Sequence, residues 1–437
     1  MLDDIDDNAS VWVAGKPAYQ PLPPLAGDTS ADVAIIGGGF TGVSTAWHLA
    51  RRFPERRILL LEAKTLGNGG SGRNGGLVLN WINGVHSPDA EHARGIYEVT
   101  QRGMRVLESM IETHALKVPY DKNGSLEVLT DPRRAEEAAR WAEEMRAVGV
   151  PLEFVTELDD TLRMQGARGA LFDPRSGRLD GIAMLRAMRD VLIELGVGVH
   201  ENTPVLAVRE GQEVALTTAQ GEVRAKAIVL ATNAYTRRLG YFRDVLFSLH
   251  SHVIATEPRS AEEWKRMGWA GVAGFNDDLD RIAYGCLTQS GQMVFGGGSN
   301  DAYSYRIGGR TALPRTPERG FAAVERRMRA YFPDAADVPI AHRWSGALAI
   351  TMSRLCAMGV RGDHQNVYYA FGYSGHGITL AHLAGEVLCD IYAGDDARWR
   401  TMPFYQPRLF RMPPEPLRWM GYQIYTRFTG RSPRRVH

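Results

Sequence analysis

Short apolar runs alternating with amphipathic stretches set the frame of this 437-residue chain. Residues 33–36, VAII, read as a short buried-type strand. Residues 42–53, GVSTAWHLARRF, continue with helical periodicity, and 57–62, RILLLE, form a second apolar strand. Further on, 199–210 and 213–234 alternate as strands do. Residues 366–392, NVYYAFGYSGHGITLAHLAGEVLCDIY, read as strand, glycine turn and helix. Two amphipathic helices, 91–113 and 132–148, flank the strand stretch GSLEVLTD. Residues 279–298 read as a hairpin turning at Ser290-Gly291, and 319–333 as a helix stopped before Pro333. The Pro-rich stretch from Pro17 reads as an extended arm. Strands joined through helices predict an α/β fold.

The first strand–helix–strand unit carries chemistry. Gly37, Gly39 and Gly42 make G-x-G-x-x-G between strand and helix, and Glu62 closes the second strand 20 positions past the third glycine. Gly37 permits the tight turn, Gly39 lets backbone approach a pyrophosphate, and Gly42 lets the helix pack on the strand. The helix N-terminus then faces phosphate with free N–H groups, and the acid reaches a ribose hydroxyl. Glu62 does not separate NAD from FAD, since both carry an adenosine ribose. The next stretch of chain does. In place of a crossover helix comes AKTLGNGGSGRNGGLVLN, with five glycines in the eight residues 69–76. Ser71, Arg73, Asn74 and Gly75 sit where backbone can touch a flat ring and a diphosphate. FAD is the cofactor expected.

Charge adds an exclusion. Fifty-one Lys and Arg against 50 Asp and Glu leave a net charge of +1, which gives no electrostatic case for nucleic acid. Three scattered cysteines, Cys286, Cys356 and Cys389, suit a reducing compartment and suggest no metal site. The acidic N-terminus lacks a signal-peptide pattern, and no apolar run approaches 18 residues. A cytoplasmic location without an integral membrane span is expected. The C-terminal stretch from Phe410, with Arg418, Arg427, Arg431, Arg434 and Arg435, reads as a segment that packs on the cofactor domain or a neighbouring subunit, a homo-oligomer being one possibility. An amphipathic membrane or partner helix is the other reading.

Four stretches, IIGGGFTGVSTAWHLA with LLLEA, SGRNGG, AIVLATNAYT and FGYSGHGITLAHLAGEVLCDIYAG, resemble the D-amino-acid-oxidase-type family of FAD-dependent oxidoreductases. SGRNGG is most similar to its gamma-glutamylputrescine branch, beside the sarcosine and glycine oxidases. The resemblance implies a Rossmann-like FAD-binding domain interleaved with an α+β substrate domain on an antiparallel sheet. The cofactor domain would be 1–90, 168–243 and 340–437, and the substrate domain 91–167 and 244–339. Val205 would meet the adenine side by backbone, and Thr232 would end a strand passing close to the cofactor. Gly375, Gly377, Ile378 and Thr379 would present a helix N-terminus to the flavin, with His376 a catalytic candidate.

The activity implied is oxidation of an amine C–N bond, with hydride passing from the α-carbon to flavin N5 and water hydrolysing the imine. Sarcosine-oxidase relatives hold a substrate carboxylate with an arginine and a lysine, and the matching positions are Asn80 and Thr379. This favours a larger amine, such as a gamma-glutamylated diamine, over a D-amino acid, glycine or sarcosine. Arg73 and Arg354 remain candidate anion partners. Cys356 lies about ten residues beyond the segment where some relatives attach flavin, so non-covalent FAD is expected. The lysine that promotes oxygen reaction in some oxidases is matched by Val294, and 267–437 contain no lysine, which leaves O2 or another electron acceptor open. Two other classes compete. A flavin monooxygenase would add a second G-x-G-x-x-G for NAD(P)H, and the sequence is read as having none. A partner-dependent flavoprotein subunit would lack turnover of its own.

Overall fold

A computed structural model of the chain describes residues 9–313 and 316–429. Arg431, Arg434 and Arg435 and the first eight residues lie outside the described residues. The elements run β1 (Thr29–Ile36), α1 (Phe40–Arg52), β2 (Ile58–Leu61), β3 (Leu77–Val78), α2 (Ala90–Thr113), β4 (Tyr120–Asp121) and β5 (Ser125–Leu129). Next come α3 (Pro132–Ala147), β6 (Glu153–Val155), β7 (Gly169–Asp173), β8 (Gly177–Leu179), α4 (Gly181–Glu194), β9 (Gly198–His200), β10 (Ala207–Arg209), β11 (Val214–Thr217) and β12 (Glu222–Leu230). Then β13 (Phe247–Thr256), α5 (Ala261–Arg266), β14 (Gly274–Asp277), β15 (Ala283–Leu287), β16 (Met293–Gly297), β17 (Tyr303–Tyr305) and α6 (Glu318–Tyr331) follow. The last are β18 (Ile340–Ile350), β19 (Ala357–Arg361), β20 (Val367–Phe371), α7 (Gly377–Ala393) and α8 (Leu417–Phe428).

The first sheet has β1 at its centre. It pairs in parallel with β12 (Ile35 opposite Val229) and β2 (Ile35 opposite Leu60). Beyond them β9 and β20 extend the parallel core, and β10, β11 and β19 add antiparallel edges. Helices α1, α4 and α7 cover one face around Val43, Trp47, Met188 and Leu383. Burial on both faces explains the unbroken apolar reading of β2, β20 and the C-terminal halves of β1 and β12, whose first halves alternate or carry polar residues. Crossing of α1 and α7 is close because Gly385 presents no side chain to Ser44, whose hydroxyl donates to the His382 carbonyl at 2.7 Å.

The second sheet runs β17-β13-β16-β15-β14-β5-β7-β6, with β18 also on β13. All its pairs are antiparallel except β14 with β5. Trp269, Phe275, Phe295 and Phe332 fill the core on the α6 side. A three-stranded sheet, β3-β8-β4, ties the glycine-rich loop to this half. Sheet membership draws a different line from the sequence boundaries at 168 and 340. Both β7 and β18 pair in the second sheet, and β18 does so along β13 from Phe247–Ile350 to Thr256–Ile340. The interleaving itself is plain, since each sheet draws on several separate stretches of chain. No helix among the described residues is long and apolar enough to cross a membrane.

Candidate active site

A cavity of about 600 Å³ opens at the C-terminal ends of β1, β2 and β12 and runs between the two sheets. In open α/β sheets this is where ligands bind. Gly37, Gly39, Glu62, Ser71, Arg73, Asn74, Gly75, Val205 and Thr232 line it, as do Asn80, Arg354, Gly375, His376, Gly377 and Ile378. Gly42 and Thr379 stand behind the wall. A Cβ on Gly42 would lie 1.9 Å from the Gly37 carbonyl oxygen, which makes it the packing glycine. Thr379 is buried, and its hydroxyl donates to the Leu79 carbonyl at 2.8 Å.

Two helix N-termini open on the cavity without side-chain caps, those of α1 after Gly39 and of α7 after His376. In contrast, α2, α3, α4 and α5 are capped by Asp89, Asp131, Asp180 and Ser260. Uncapped N-termini leave N–H donors and a positive dipole end available to an anion. At α1 one donor is used, since Phe40 N–H bonds Ser71 Oγ at 3.1 Å. Glu62 accepts from the N–H groups of Gly38 (2.7 Å) and Lys64 (3.0 Å), one on each oxygen, which leaves lone pairs for hydroxyl donors. Burial pushes its carboxyl upward, while these two N–H groups pull it down. Phosphate donors, a ribose acceptor and a long slot between sheets fit a flavin dinucleotide.

The glycine-rich loop is a wedge. A Cβ on Gly75 would sit 2.6 Å from the Tyr284 ring, so the backbone lies directly against the second sheet. Trp344 Nε1 donates to the Arg73 carbonyl (3.1 Å) and Trp12 Nε1 to that of Asn74 (2.8 Å). Cys286 Sγ bonds the Gly75 carbonyl (3.1 Å). Asn74 braces the loop internally, donating to Ser71 O (2.8 Å) and accepting from Gly76 N–H (2.8 Å). Arg73 is buried, with Asn68 Oδ1 3.5 Å from its guanidinium. The spacing Gly70-x-Gly72-x-x-Gly75 is formally a second G-x-G-x-x-G, which corrects the sequence reading. It follows no strand directly and opens no helix, so it lacks the context of a second nucleotide site.

His376 precedes α7. Asn83 Nδ2 donates to the Ser374 carbonyl (2.6 Å), which fixes its orientation, and also meets His376 Nδ1 at 2.8 Å. Nδ1 is therefore an acceptor, and the ring proton sits on Nε2. Asn80 is held within the protein. It donates to Asp173 (2.6 Å) and accepts from Gln101 (2.6 Å), while Tyr97 and Ser176 hydroxyls also donate to Asp173 at 2.8 and 2.7 Å. Arg354 is exposed on the cavity rim with φ 61°. Trp81, Tyr97, Glu127, Arg134 and Trp141 also line the cavity. Cys356 is buried off the cavity, and burial pushes its thiol up to about 12. Val294 is buried with Trp12, Ile182 and Trp344 beneath the loop and does not line the cavity.

Sequence reasoning missed Trp12, Asn83, Tyr97, Asp173 and Tyr284. A lone tryptophan in a polar N-terminal arm was the available signal for Trp12. The others carry none, because most of their partners lie tens to hundreds of positions away.

Comparison with known proteins bears on the family and the fold. Gamma-glutamylputrescine oxidoreductase of Escherichia coli is 28% identical over 431 residues, covering 93% of this chain and 96% of that one. Glycine oxidase of Geobacillus kaustophilus is 23% identical over 395 residues. Its crystal structure superposes with a TM-score of 0.73 over 87% of this chain and 99% of that chain. The structure of L-proline dehydrogenase from P. horikoshii gives 0.71 over 89% and 100%. The family model described as DAO, FAD dependent oxidoreductase, matches residues 32–391, and the chain belongs to that family of FAD-dependent oxidoreductases.

Proposed function

We propose that this oxidoreductase uses non-covalently bound FAD to oxidise the C–N bond of an extended amine with a distant polar end, such as a gamma-glutamylated diamine. Gly37, Gly39 and the α1 N-terminus would hold the diphosphate, Glu62 the ribose, Val205 the adenine side and the α7 N-terminus the flavin ring. FAD bound there would supply a hydride acceptor for the amine α-carbon. The protein's share is to bind the amine neutral, orient its α-carbon and cover the reacting atoms from bulk water. With Nδ1 held by Asn83, His376 offers Nε2–H as a donor at the flavin end of the cavity. Imine hydrolysis needs only water.

The observation that carries the substrate reading is the fate of Asn80 and Thr379. Both side chains make their hydrogen bonds inside the protein, to Asp173 and Gln101 and to Leu79. Neither is a cation for an α-carboxylate. A charge-assisted contact is worth about 1.5–3 kcal/mol, roughly 10- to 150-fold in binding. The aromatic and charged lining that Trp81, Tyr97, Glu127, Arg134 and Trp141 add to the cavity gives a long substrate's far end partners. Anaerobic flavin bleaching tests this over gamma-glutamylputrescine, putrescine, spermidine, glycine, sarcosine and D-alanine. The extended amines should reduce the flavin fastest. A small α-amino acid as fastest reductant would overturn the reading and point to Arg73 or Arg354 as the carboxylate partner.

A further inference from the structure

Helix α8 has two different faces. Arg418 on one face is buried, donating to the carbonyls of Pro413 (3.0 Å) and Arg243 (3.0 Å). On the same face Tyr422 packs on Phe247 and Tyr305, and Asn300 donates to the carbonyls of Thr426 (2.6 Å) and Thr429 (2.9 Å). The spacing 418, 422, 426, 429 is one helical stripe, and it fixes the helix to the body. Glu415 reinforces the docking by accepting from Tyr305.

The other face is apolar and open. Ten large hydrophobic side chains are exposed among the described residues, and seven of them fall within Phe410–Phe428. Leu417, Met420, Ile424 and Phe428 recur at intervals of 3, 4 and 4, a second stripe pointing away from the body. Ile424 is 55% exposed and Phe428 84%. Isolated exposed apolar residues are ordinary, whereas a stripe of them marks a surface that something covers.

Charge says what covers it. Between Arg408 and His437 the sequence carries seven arginines and one acid, Glu415, a net +6 in a chain whose total is +1. A second copy seated on the same stripe would bring two such stretches together, and like charges oppose that contact. An anionic, apolar-cored surface satisfies both features. An apolar stripe along one side of a helix, set in a basic stretch of sequence, is the pattern of an interfacial, non-spanning membrane helix.

We propose that α8 lies flat on an anionic lipid bilayer, its Leu417–Met420–Ile424–Phe428 stripe among the acyl chains and the exposed Arg411 and Arg427 at the headgroups. Such docking is independent of which amine is oxidised. Arg281, whose guanidinium lies 5.4 Å from the Tyr425 ring centre, also lines the cavity, so α8 packs on a side chain that borders it.

The test is flotation of the full-length holoprotein with phosphatidylglycerol-rich vesicles and with phosphatidylcholine vesicles. The wild type should float with the anionic vesicles and far less with the zwitterionic ones. Each basic residue near such a surface contributes about fivefold in partition, so the pair Arg411→Gln and Arg427→Gln should weaken binding roughly 25-fold. Ile424→Glu with Phe428→Glu should abolish flotation while flavin absorbance and amine-dependent bleaching stay unchanged, since neither residue faces the cavity. Wild-type protein that ignores anionic vesicles, or an Ile424→Glu/Phe428→Glu variant that floats as well as wild type, overturns the proposal. So does sedimentation equilibrium showing a dimer that this variant splits, because a second copy would then be the occupant.

Discussion

Gly39 and Gly42 are three residues apart in one motif, yet substitution should break different things. A Cβ on Gly39 would lie 2.7 Å from Ser71 Oγ, a movable hydroxyl, and Gly39 has an unstrained φ of −87°. The folded chain can take a valine there by turning Ser71, but the side chain then fills the space where the diphosphate approaches. A Cβ on Gly42 would lie 1.9 Å from the Gly37 carbonyl oxygen, fixed backbone in the turn between β1 and α1. Relief requires moving the helix from the strand, at the upper end of the roughly 1–3 kcal/mol that overpacking costs. Unfolding entropy of about 2.1 cal/mol/K per residue gives about 0.9 kcal/mol/K for a chain of this length, so about 3 kcal/mol lowers Tm by about 3 °C. Bound FAD at 100 times its Kd contributes about 2.7 kcal/mol, a shift of about the same size. Holoprotein melting alone therefore cannot separate the variants, whereas apoprotein melting can. Apo Gly39→Val should melt with apo wild type and show no rise on adding FAD. Apo Gly42→Ala should melt about 3 °C lower. Gly39→Val protein that purifies yellow would refute the phosphate placement. Apo Gly39→Val that melts as low as Gly42→Ala would show that Gly39 is a packing glycine.

Three further outcomes rest on the same geometry. Acid precipitation should release FAD into the supernatant and leave a colourless pellet, because Cys356 is buried away from the cavity; colour retained by the pellet would refute non-covalent binding. Burial pushes the His252 and His382 imidazoles down to about 4, so between pH 6.5 and 4 the unfolded chain binds more protons and stability falls as pH falls through that window, by at most about 3 kcal/mol for each histidine. Asp277, pushed up to about 6 by burial, acts in the opposite direction, so the readout is the difference in Tm between wild type and His382→Gln across pH 4–7; parallel curves would refute the assignment. Tyr97→Phe removes one of the donors to Asp173 and should raise KM for the extended amine several-fold with little change in kcat, a split seen in stopped-flow reduction; an effect on kcat alone would place Tyr97 nearer the reacting atoms.

What the sequence disclosed was local. The unit from Val33 to Glu62 is legible because every part of its job is written in consecutive residues: two strands apolar on both faces, a glycine at each close approach, and an acid at the end of the second strand. The glycine-rich loop was half legible. Its glycines announce that something comes close, but Tyr284, Trp344 and Trp12, which come close, are supplied by chain up to 271 positions away. The domain edges were blurred for a similar reason. Strand β18 reads as mixed apolar and polar, and only its long ladder with β13 assigns it to the second sheet.

Asn80 shows where inference from residue type stops. The family resemblance reads it as an uncharged residue where a cation would hold a small amino acid's carboxylate. The structure adds that its amide is committed to Asp173 and Gln101, so it positions a carboxylate rather than meeting a substrate itself. That moves the question of specificity from Asn80 to the group it orients. Asp173 takes four donors, from Asn80, Tyr97, Ser176 and the Arg175 backbone, and still borders the cavity. A buried carboxylate beside Trp81 and Tyr97 suits a cationic or amide-bearing chain better than a carboxylate-bearing one, because an anion there would meet like charge in a setting of low dielectric. Asp173→Asn keeps the shape and removes the charge. It should narrow the preference for extended amines over sarcosine, and an unchanged preference would move the origin of selectivity to Glu127 and Arg134, which also line the cavity.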